Sequence, residues 1–226
     1  TFPIVTVVII VMNSILFLFQ WVWGAHIHGF VEHFGIIPAK YFWLADVHPS
    51  DYGDRFIPFF SSMFLHGGWM HVIGNMWYLW IFGDNIEDRF GRIGFIGFYL
   101  LCGLTAGLTH VYLSPESAIP TIGASGAIAG VMGAYMVLYP TSRVVTMIPL
   151  MVLFPIVEIP AVFFLGFWFL MQFFQGTVSS FAAQNVGGVA WWAHFGGFAA
   201  GAVIALLFKQ LKSKTDRVEQ DGVVPW

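Results

Sequence analysis

Four polar side chains lie in strongly apolar stretches of this sequence: Ser125, His194, His71 and Asn75. A serine hydroxyl becomes a nucleophile when a neighbouring imidazole accepts its proton, so Ser125 and His194 form a candidate pair for hydrolysis. Polar groups inside hydrocarbon are unfavourable and are functional candidates by default. Because the four residues come from three separate segments, the fold must bring them together.

The composition places these residues in a membrane protein. Residues of the set AVILMFWYC make up 58% of the 226 residues, charged residues make up 9%, and the mean hydropathy is +0.78. A soluble domain of this length lacks the interior to bury so much apolar surface. The formal charge of −3 disfavours nucleic-acid binding, and a single cysteine, Cys102, excludes a disulfide framework.

Apolar segments that are long enough, or nearly so, to cross a bilayer as helices recur six times. They are predicted at residues 4–23, 71–82, 93–113, 125–139, 149–174 and 189–208. The predicted fold is therefore an all-α polytopic membrane protein, with a six-helix bundle in residues 1–208 and a polar cytoplasmic tail, expected to fray, in residues 209–226. The aromatic-rich connection 24–70 is too long for a plain loop, and we expect it to fold at the outer membrane interface.

The distribution of Lys and Arg predicts that both termini lie in the cytoplasm. With six crossings, seven of the nine cations fall on the cytoplasmic side, and only Lys40 and Arg55 fall outside. This topology brings the four polar residues to a similar depth near the outer leaflet. The predicted helix that begins at Ser125 is only about 22 Å long, which leaves the serine below the membrane surface.

Small residues surround Ser125 and recur in the last segment. Gly123 permits a tight loop, and a helix that begins at Ser125 has free N–H groups that can stabilise an oxyanion. Small residues are spaced four apart in two segments: Gly126, Gly130 and Ala134 in the fourth, and Gly197, Gly201 and Ala205 in the sixth. Such stripes let helices approach closely, so these two are predicted to pack and to bring His194 within hydrogen-bond reach of Ser125.

Each of these signals alone also has a purely structural explanation. A Gly-x-Ser-Gly string in a glycine-rich membrane protein is more often a packing feature, and a single buried histidine is more often a core residue than a base. Asn13, His110 and Glu158 have no evident partner from another segment, and local structural or gating roles are expected for them. No His-Glu-x-x-His motif occurs, so a zinc protease is disfavoured, and no cofactor or metal is expected.

Three stretches of the chain carry a joint pattern that is more specific than any one of them. They are Phe64-Leu65-His66-Gly67-Gly68-Trp69-Met70-His71-Val72-Ile73-Gly74-Asn75, Gly123-Ala124-Ser125-Gly126, and Ala193-His194-Phe195-Gly196-Gly197-Phe198-Ala199-Ala200-Gly201. In order and topology the pattern resembles the rhomboid family of intramembrane serine proteases. The resemblance implies Ser125 as nucleophile and His194 as general base. It also implies an oxyanion hole formed by the side chains of His71 and Asn75 and by the backbone N–H of Ser125.

The resemblance further implies an endopeptidase that cleaves single-span membrane proteins in or near the bilayer of a plasma or inner membrane. No carboxylate in the spans is placed to orient His194, so a dyad rather than a triad is expected. Two positions depart from the family. Arg55-Phe56 stands near the place where many relatives have Trp-Arg, and Ala129 replaces an aromatic residue that stacks on the histidine in some relatives.

Two other functions stay open at this point. One is a catalytically inactive rhomboid-like protein that binds membrane clients, although such relatives usually lack the serine or the histidine. The other is a transporter or channel, which would need charged residues along a pathway or two related halves, and here only Glu158 stands isolated in the predicted fifth helix. The pattern leaves the oligomeric state open.

Overall fold

The computed structural model describes residues 2–24, 27–148, 155–181 and 189–220, and most of them are helical. In chain order they form α1 (Ile4–Trp23), α2 (Ile27–Phe34), α3 (Pro38–Val47), α4 (Tyr52–Phe56), α5 (Pro58–Ser61), a 3-10 turn (Ser62–Phe64), α6 (Trp69–Leu113), α7 (Ser125–Leu138), β1 (Arg143–Met147), β2 (Ile156–Pro160), α8 (Ala161–Phe181) and α9 (Trp191–Gln220). Within these residues, α1, α6, α8 and α9 are long and apolar enough to span a membrane, and α7 is a shorter apolar helix.

The 45-residue helix α6 is broken at Gly91, which has φ 72° and ψ 163°. This φ lies in the left-handed region that glycine adopts without strain. The break divides α6 into two arms, residues 69–90 and 92–113. The sequence predicts two separate helices at 71–82 and 93–113, so the second arm matches closely, whereas the first arm is nearly twice as long as expected.

The all-α prediction is wrong between α7 and α8, where β1 and β2 form an antiparallel hairpin that pairs Val145 with Glu158. The predicted helix 149–174 is therefore also wrong at its start, because α8 begins at Ala161. Pro155 and Pro160 interrupt the apolar run, and proline is incompatible with a helix interior. Residues 149–154 of that predicted helix lie outside the described residues.

The centre of the structure is a contact between α7 and α9 that is made by glycines. A Cβ added to Gly197 would overlap the carbonyl of Gly126, and one added to Gly201 would overlap the carbonyl of Gly130. The two helix backbones therefore touch directly, as small-residue stripes permit. The predicted packing of these two helices is confirmed, and we call this contact the glycine seam.

The helix α1 is held at both of its ends by buried polar side chains. At its start, the Glu87 carboxylate of α6 accepts hydrogen bonds from the backbone N–H groups of Val5 and Thr6 at 2.9 and 2.8 Å. Near its end, Gln20 accepts from the N–H of His66 at 3.1 Å and donates to the carbonyl of His66 at 3.3 Å. A carboxylate at a helix N-terminus satisfies free donors and is favoured by the helix dipole.

Two regions outside the bundle also bear on the sequence predictions. The connection between α1 and α6 contains four short helices and a 3-10 turn, so it is folded over most of its described length. The helix α9 continues to Gln220, about three turns beyond Phe208. The part of the predicted tail up to Gln220 is thus helical rather than frayed, and residues 221–226 lie outside the described residues.

Candidate active site

Ser125 and His194 meet across the glycine seam. Ser125 is the first residue of α7, and His194 lies in the first turn of α9. The Nε2 atom of His194 and the Oγ atom of Ser125 are 2.8 Å apart, which is a short hydrogen bond. The arrangement has the geometry that a serine nucleophile and its base require.

The imidazole of His194 also has a partner on its other nitrogen, which sequence reasoning missed. Its Nδ1 atom lies 2.8 Å from Oε1 of Gln172, a buried side chain of α8 that is 5% exposed. An amide oxygen only accepts, so in this orientation Nδ1 carries the proton and Nε2 accepts from the Ser125 hydroxyl. The signal that could have found Gln172 is its amide in an otherwise apolar stretch, where a polar group needs a partner.

A tryptophan of α8 lies beside the imidazole of His194. The ring centroids of Trp168 and His194 are 5.8 Å apart, with an angle of 36° between the ring planes. Trp168 precedes Gln172 by four residues, so both side chains project from one face of α8. Rings near His194 thus come from α8, and also from α9, where the centroid of Trp191 lies 6.3 Å from that of His194.

His71 and Asn75 lie one helical turn apart at the start of α6 and point toward the loop before Ser125. Nδ1 of His71 accepts from the N–H of Gly67 at 3.3 Å, so the proton of the neutral ring is on Nε2. The Nδ2 atom of Asn75 is buried and has no hydrogen-bond partner among the described residues. Both groups are thus available as donors on the side that faces Ser125.

Gly123 makes this approach possible. A Cβ at this position would lie 2.6 Å from Nε2 of His71 and 3.5 Å from Nδ2 of Asn75. Its φ of 126° also lies in the region that side chains disfavour. Glycine is therefore required here both by space and by backbone conformation, as the sequence predicts for the loop before the serine.

All four predicted site residues line one cavity of about 680 Å³. The cavity extends from the first turn of α6 to the first turn of α9, and Trp168 and Gly123 contribute to its wall. Its volume is in the range of known ligand sites. The arrangement combines a hydroxyl, an imidazole that can accept its proton, and two free side-chain donors around one space.

Other polar residues singled out in the sequence take local roles. Asn13 donates to the carbonyl of Ile9 in its own helix, and Glu158 lies on β2 instead of the predicted fifth helix. His110 is buried on the second arm of α6 and makes no hydrogen bond to the described residues through Nδ1. The guanidinium of Arg55 lies over the ring of Tyr41, 4.6 Å from its centroid, within the connection between α1 and α6.

His66 is a buried neighbour of the site with a strongly shifted pKa. It lies just before α6, and its ring centroid is 5.1 Å from that of His71. Burial, together with the nearby imidazole of His71, lowers its pKa from 6.5 to about 3. Both ring nitrogens lack hydrogen-bond partners among the described residues, so this ring is neutral at ordinary pH.

The fold and the site together define an integral membrane protein with a partly buried serine–histidine contact. A family model described as Rhomboid domain matches residues 53–211, which is well over half of the chain. The chain belongs to the rhomboid family.

Curated relatives from several organisms match shorter stretches. The chain is 36% identical over 72 residues to "Rhomboid-like protein 11, chloroplastic" of Arabidopsis thaliana, which is 32% of this chain and 25% of that protein. It is 34% identical over 83 residues to "Rhomboid protease GluP" of Bacillus subtilis, 37% of this chain and 16% of that protein. It is 29% identical over 98 residues to "Rhomboid protein 1, mitochondrial" of Saccharomyces cerevisiae, 42% of this chain and 28% of that protein. The matches span less than a third of each of these relatives.

Proposed function

We propose that the chain is a serine-type intramembrane endopeptidase that uses Ser125 and His194 as a catalytic dyad. The observation that carries the proposal is the 2.8 Å contact between Ser125 Oγ and His194 Nε2 beside a cavity lined by His71 and Asn75. Membership of the rhomboid family supports it, and one relative of the chain is named a protease.

The first half of the reaction forms an acyl-enzyme. His194 Nε2 accepts the hydroxyl proton of Ser125 as Oγ attacks the carbonyl carbon of the peptide, and the carbonyl electrons move to oxygen. The oxyanion accepts hydrogen bonds from His71, Asn75 and the backbone N–H of Ser125. The C–N bond then breaks, the amine nitrogen takes the proton from His194, and the ester remains on Ser125.

The second half of the reaction uses water. His194 Nε2 accepts a proton from a water molecule, whose oxygen attacks the ester carbonyl in the same oxyanion hole. The bond to Ser125 Oγ then breaks, and the proton returns from His194 to Oγ. The products are a carboxylic acid and the free dyad, so no metal or cofactor takes part.

In the proposed membrane arrangement the chain crosses the bilayer six times. The crossings are α1, the two arms of α6, α7, α8 and α9, with both termini in the cytoplasm, as the distribution of Lys and Arg favours. The helix α7 has 14 residues and is only about 21 Å long. A bilayer core of about 30 Å therefore leaves Ser125 below its outer surface, within reach of water through the cavity.

The substrates in this proposal are single-span membrane proteins. A peptide bond inside a regular helix is shielded because its groups are hydrogen-bonded, so a locally destabilised helix with small residues at the cut fits best. The membrane is a plasma or inner membrane in this proposal, whereas the plant and yeast relatives described above are named chloroplastic or mitochondrial.

The experiment that tests the activity is labelling of purified protein with a fluorophosphonate, together with cleavage of a single-span reporter protein. We expect wild type to be labelled and to cleave, and Ser125→Ala and His194→Ala to do neither. Ser14→Ala is the matched control, because among the described residues that hydroxyl bonds only to the carbonyl of Ile10 in its own helix. Labelling that persists in Ser125→Ala contradicts the nucleophile assignment.

The inactive client-binding alternative predicts a different result in the same assay. Wild type would then bind the reporter, neither cleave it nor react with the fluorophosphonate, and behave like both variants. For the topology, a tag placed beside Glu116 should be inaccessible from the cytoplasm. Cytoplasmic labelling of that tag contradicts the proposed six crossings.

A further inference from the structure

One face of α8 is built around His194, although the remainder of the helix is largely exposed. Gln172 is buried, and its Oε1 lies 2.8 Å from Nδ1 of His194. Trp168, one turn earlier, places its ring 5.8 Å from the same imidazole. The side chains on either side of Gln172, Met171 and Phe173, are 37% and 47% exposed. A buried amide on such an apolar helix needs a partner, and its partner here is the candidate base.

We propose that Gln172 is a positioning residue: its amide oxygen holds the His194 imidazole in the tautomer that carries hydrogen on Nδ1, so that Nε2 faces Ser125 as an acceptor. The inference rests on the proposed function and adds an orienting group that the dyad leaves out. An imidazole that carries hydrogen on Nε2 instead would donate to Ser125 and could not accept its proton. Fixing the tautomer is the role that a third residue has in serine hydrolases.

The amide makes this site different from one with a carboxylate. A neutral acceptor orients the ring but adds no negative charge to stabilise the imidazolium that forms during attack. The other imidazoles that interact electrostatically with His194 are those of His71 and His110, on the two arms of α6. Both stay in place when residue 172 is changed, so a change in the pH profile reports on residue 172.

The test compares two variants. Gln172→Met removes the amide acceptor at similar side-chain length, whereas Gln172→Glu supplies a carboxylate that, when ionised, accepts hydrogen bonds and donates none. Leu170→Met is the control on the same helix, because Leu170 is 63% exposed and lies away from His194. The readouts are kcat and KM for a single-span reporter, the pH profile of kcat, fluorophosphonate labelling, and thermal unfolding in detergent.

We expect Gln172→Met to lower kcat about tenfold with little change in KM, since one modest hydrogen bond is lost. Gln172→Glu should keep most of the activity, and its acidic limb should move to higher pH by about one unit, because a carboxylate stabilises the protonated imidazole. Leu170→Met should behave as wild type.

Wild-type kcat in Gln172→Met overturns the inference, and so does a Gln172→Glu protein that loses as much activity as Gln172→Met. If Gln172→Met does not fold, the pH profile of kcat for Gln172→Glu tests the inference instead. An acidic limb at the wild-type pH then overturns the positioning role of Gln172. The proposed function fails separately, when Ser125→Ala labels and cleaves like wild type. If Gln172→Met has wild-type activity while Ser125→Ala is inactive, the positioning role is overturned and the proposed function stands.

Discussion

The glycine seam and the attachment of α1 hold helices together in opposite ways. Across the seam, the backbones of α7 and α9 touch at Gly197 and Gly201, with no polar side chain between them at these points. At α1, by contrast, Gln20 and Glu87 hold the two ends through hydrogen bonds to backbone groups. The seam depends on shape, whereas the attachment of α1 depends on polar partners.

This difference bears on which part of the molecule tolerates change. Ser125 and His194 lie at one end of the seam, so their separation is set by backbone contacts that do not titrate. The Gln20 end of the attachment of α1 lies at the backbone of the buried His66, whose imidazole binds a proton at ordinary pH only when the chain unfolds. Substitutions in the two regions should therefore differ in size and in pH dependence.

The largest expected loss of stability comes from adding a methyl group to a glycine of the seam. Gly201→Ala places a Cβ onto the carbonyl of Gly130, so we expect a loss of about 3 kcal/mol in the free energy of unfolding, measured in detergent micelles. Gly166→Ala on α8 is the matched control, because nothing lies within 4 Å of its added Cβ. That control should gain up to about 1 kcal/mol from helix propensity. Equal stability of the two variants contradicts direct backbone contact.

A smaller effect is expected at the end of α1. Gln20→Leu leaves the buried N–H and carbonyl of His66 without their partner, so the free energy of unfolding should fall by about 2 kcal/mol. Ser14→Ala on the same helix should change it by less than about 0.5 kcal/mol, the usual size for a substitution outside such contacts. A Gln20→Leu protein as stable as wild type would show that these two bonds do not hold α1.

The smallest effect is the pH dependence that His66 gives to this region. Its pKa is about 3 when folded and near 6.5 when unfolded, so between these values only the unfolded chain binds the proton. Stability should fall as the pH drops below about 6.5, and at pH 5.5 the free energy of unfolding should be about 1.4 kcal/mol lower than at pH 7.5. His66→Leu removes this contribution, so its unfolding should vary less between pH 7.5 and 5.5. Parallel pH curves for the two proteins contradict the assignment.

The sequence predicts the parts of the fold that have a simple periodic signal. The spacing of Gly126 and Gly130 against Gly197 and Gly201 is sufficient to predict the seam, because four-residue spacing puts small residues on one helix face. Hydropathy alone treats residues 149–174 as one helix, although Pro155 and Pro160 forbid it. The first arm of α6 continues past residue 82 and includes Glu87, whose contact with α1 no local pattern indicates.

The residues of the candidate site also fall into those that the sequence predicts and those that only the structure identifies. Ser125, His194, His71 and Asn75 are recognisable because each lies in a motif with glycines or histidines nearby. Gln172 has no motif, and its pairing with His194 depends on how α8 is placed against α9, which hydropathy does not determine. Trp168 likewise resembles any other aromatic residue of an apolar helix, and only the three-dimensional contact with His194 distinguishes it.

Gln172 and Trp168 both belong to α8, so the surroundings of the His194 imidazole depend on where this exposed helix lies. If α8 swings outward to let a helix pass from the bilayer, the imidazole loses both its acceptor and its supporting ring. In the proposed protease, an outward position of α8 and an oriented His194 base therefore exclude each other. Under the proposed function, a substrate helix that enters beside α8 meets an oriented base only after α8 has returned to His194.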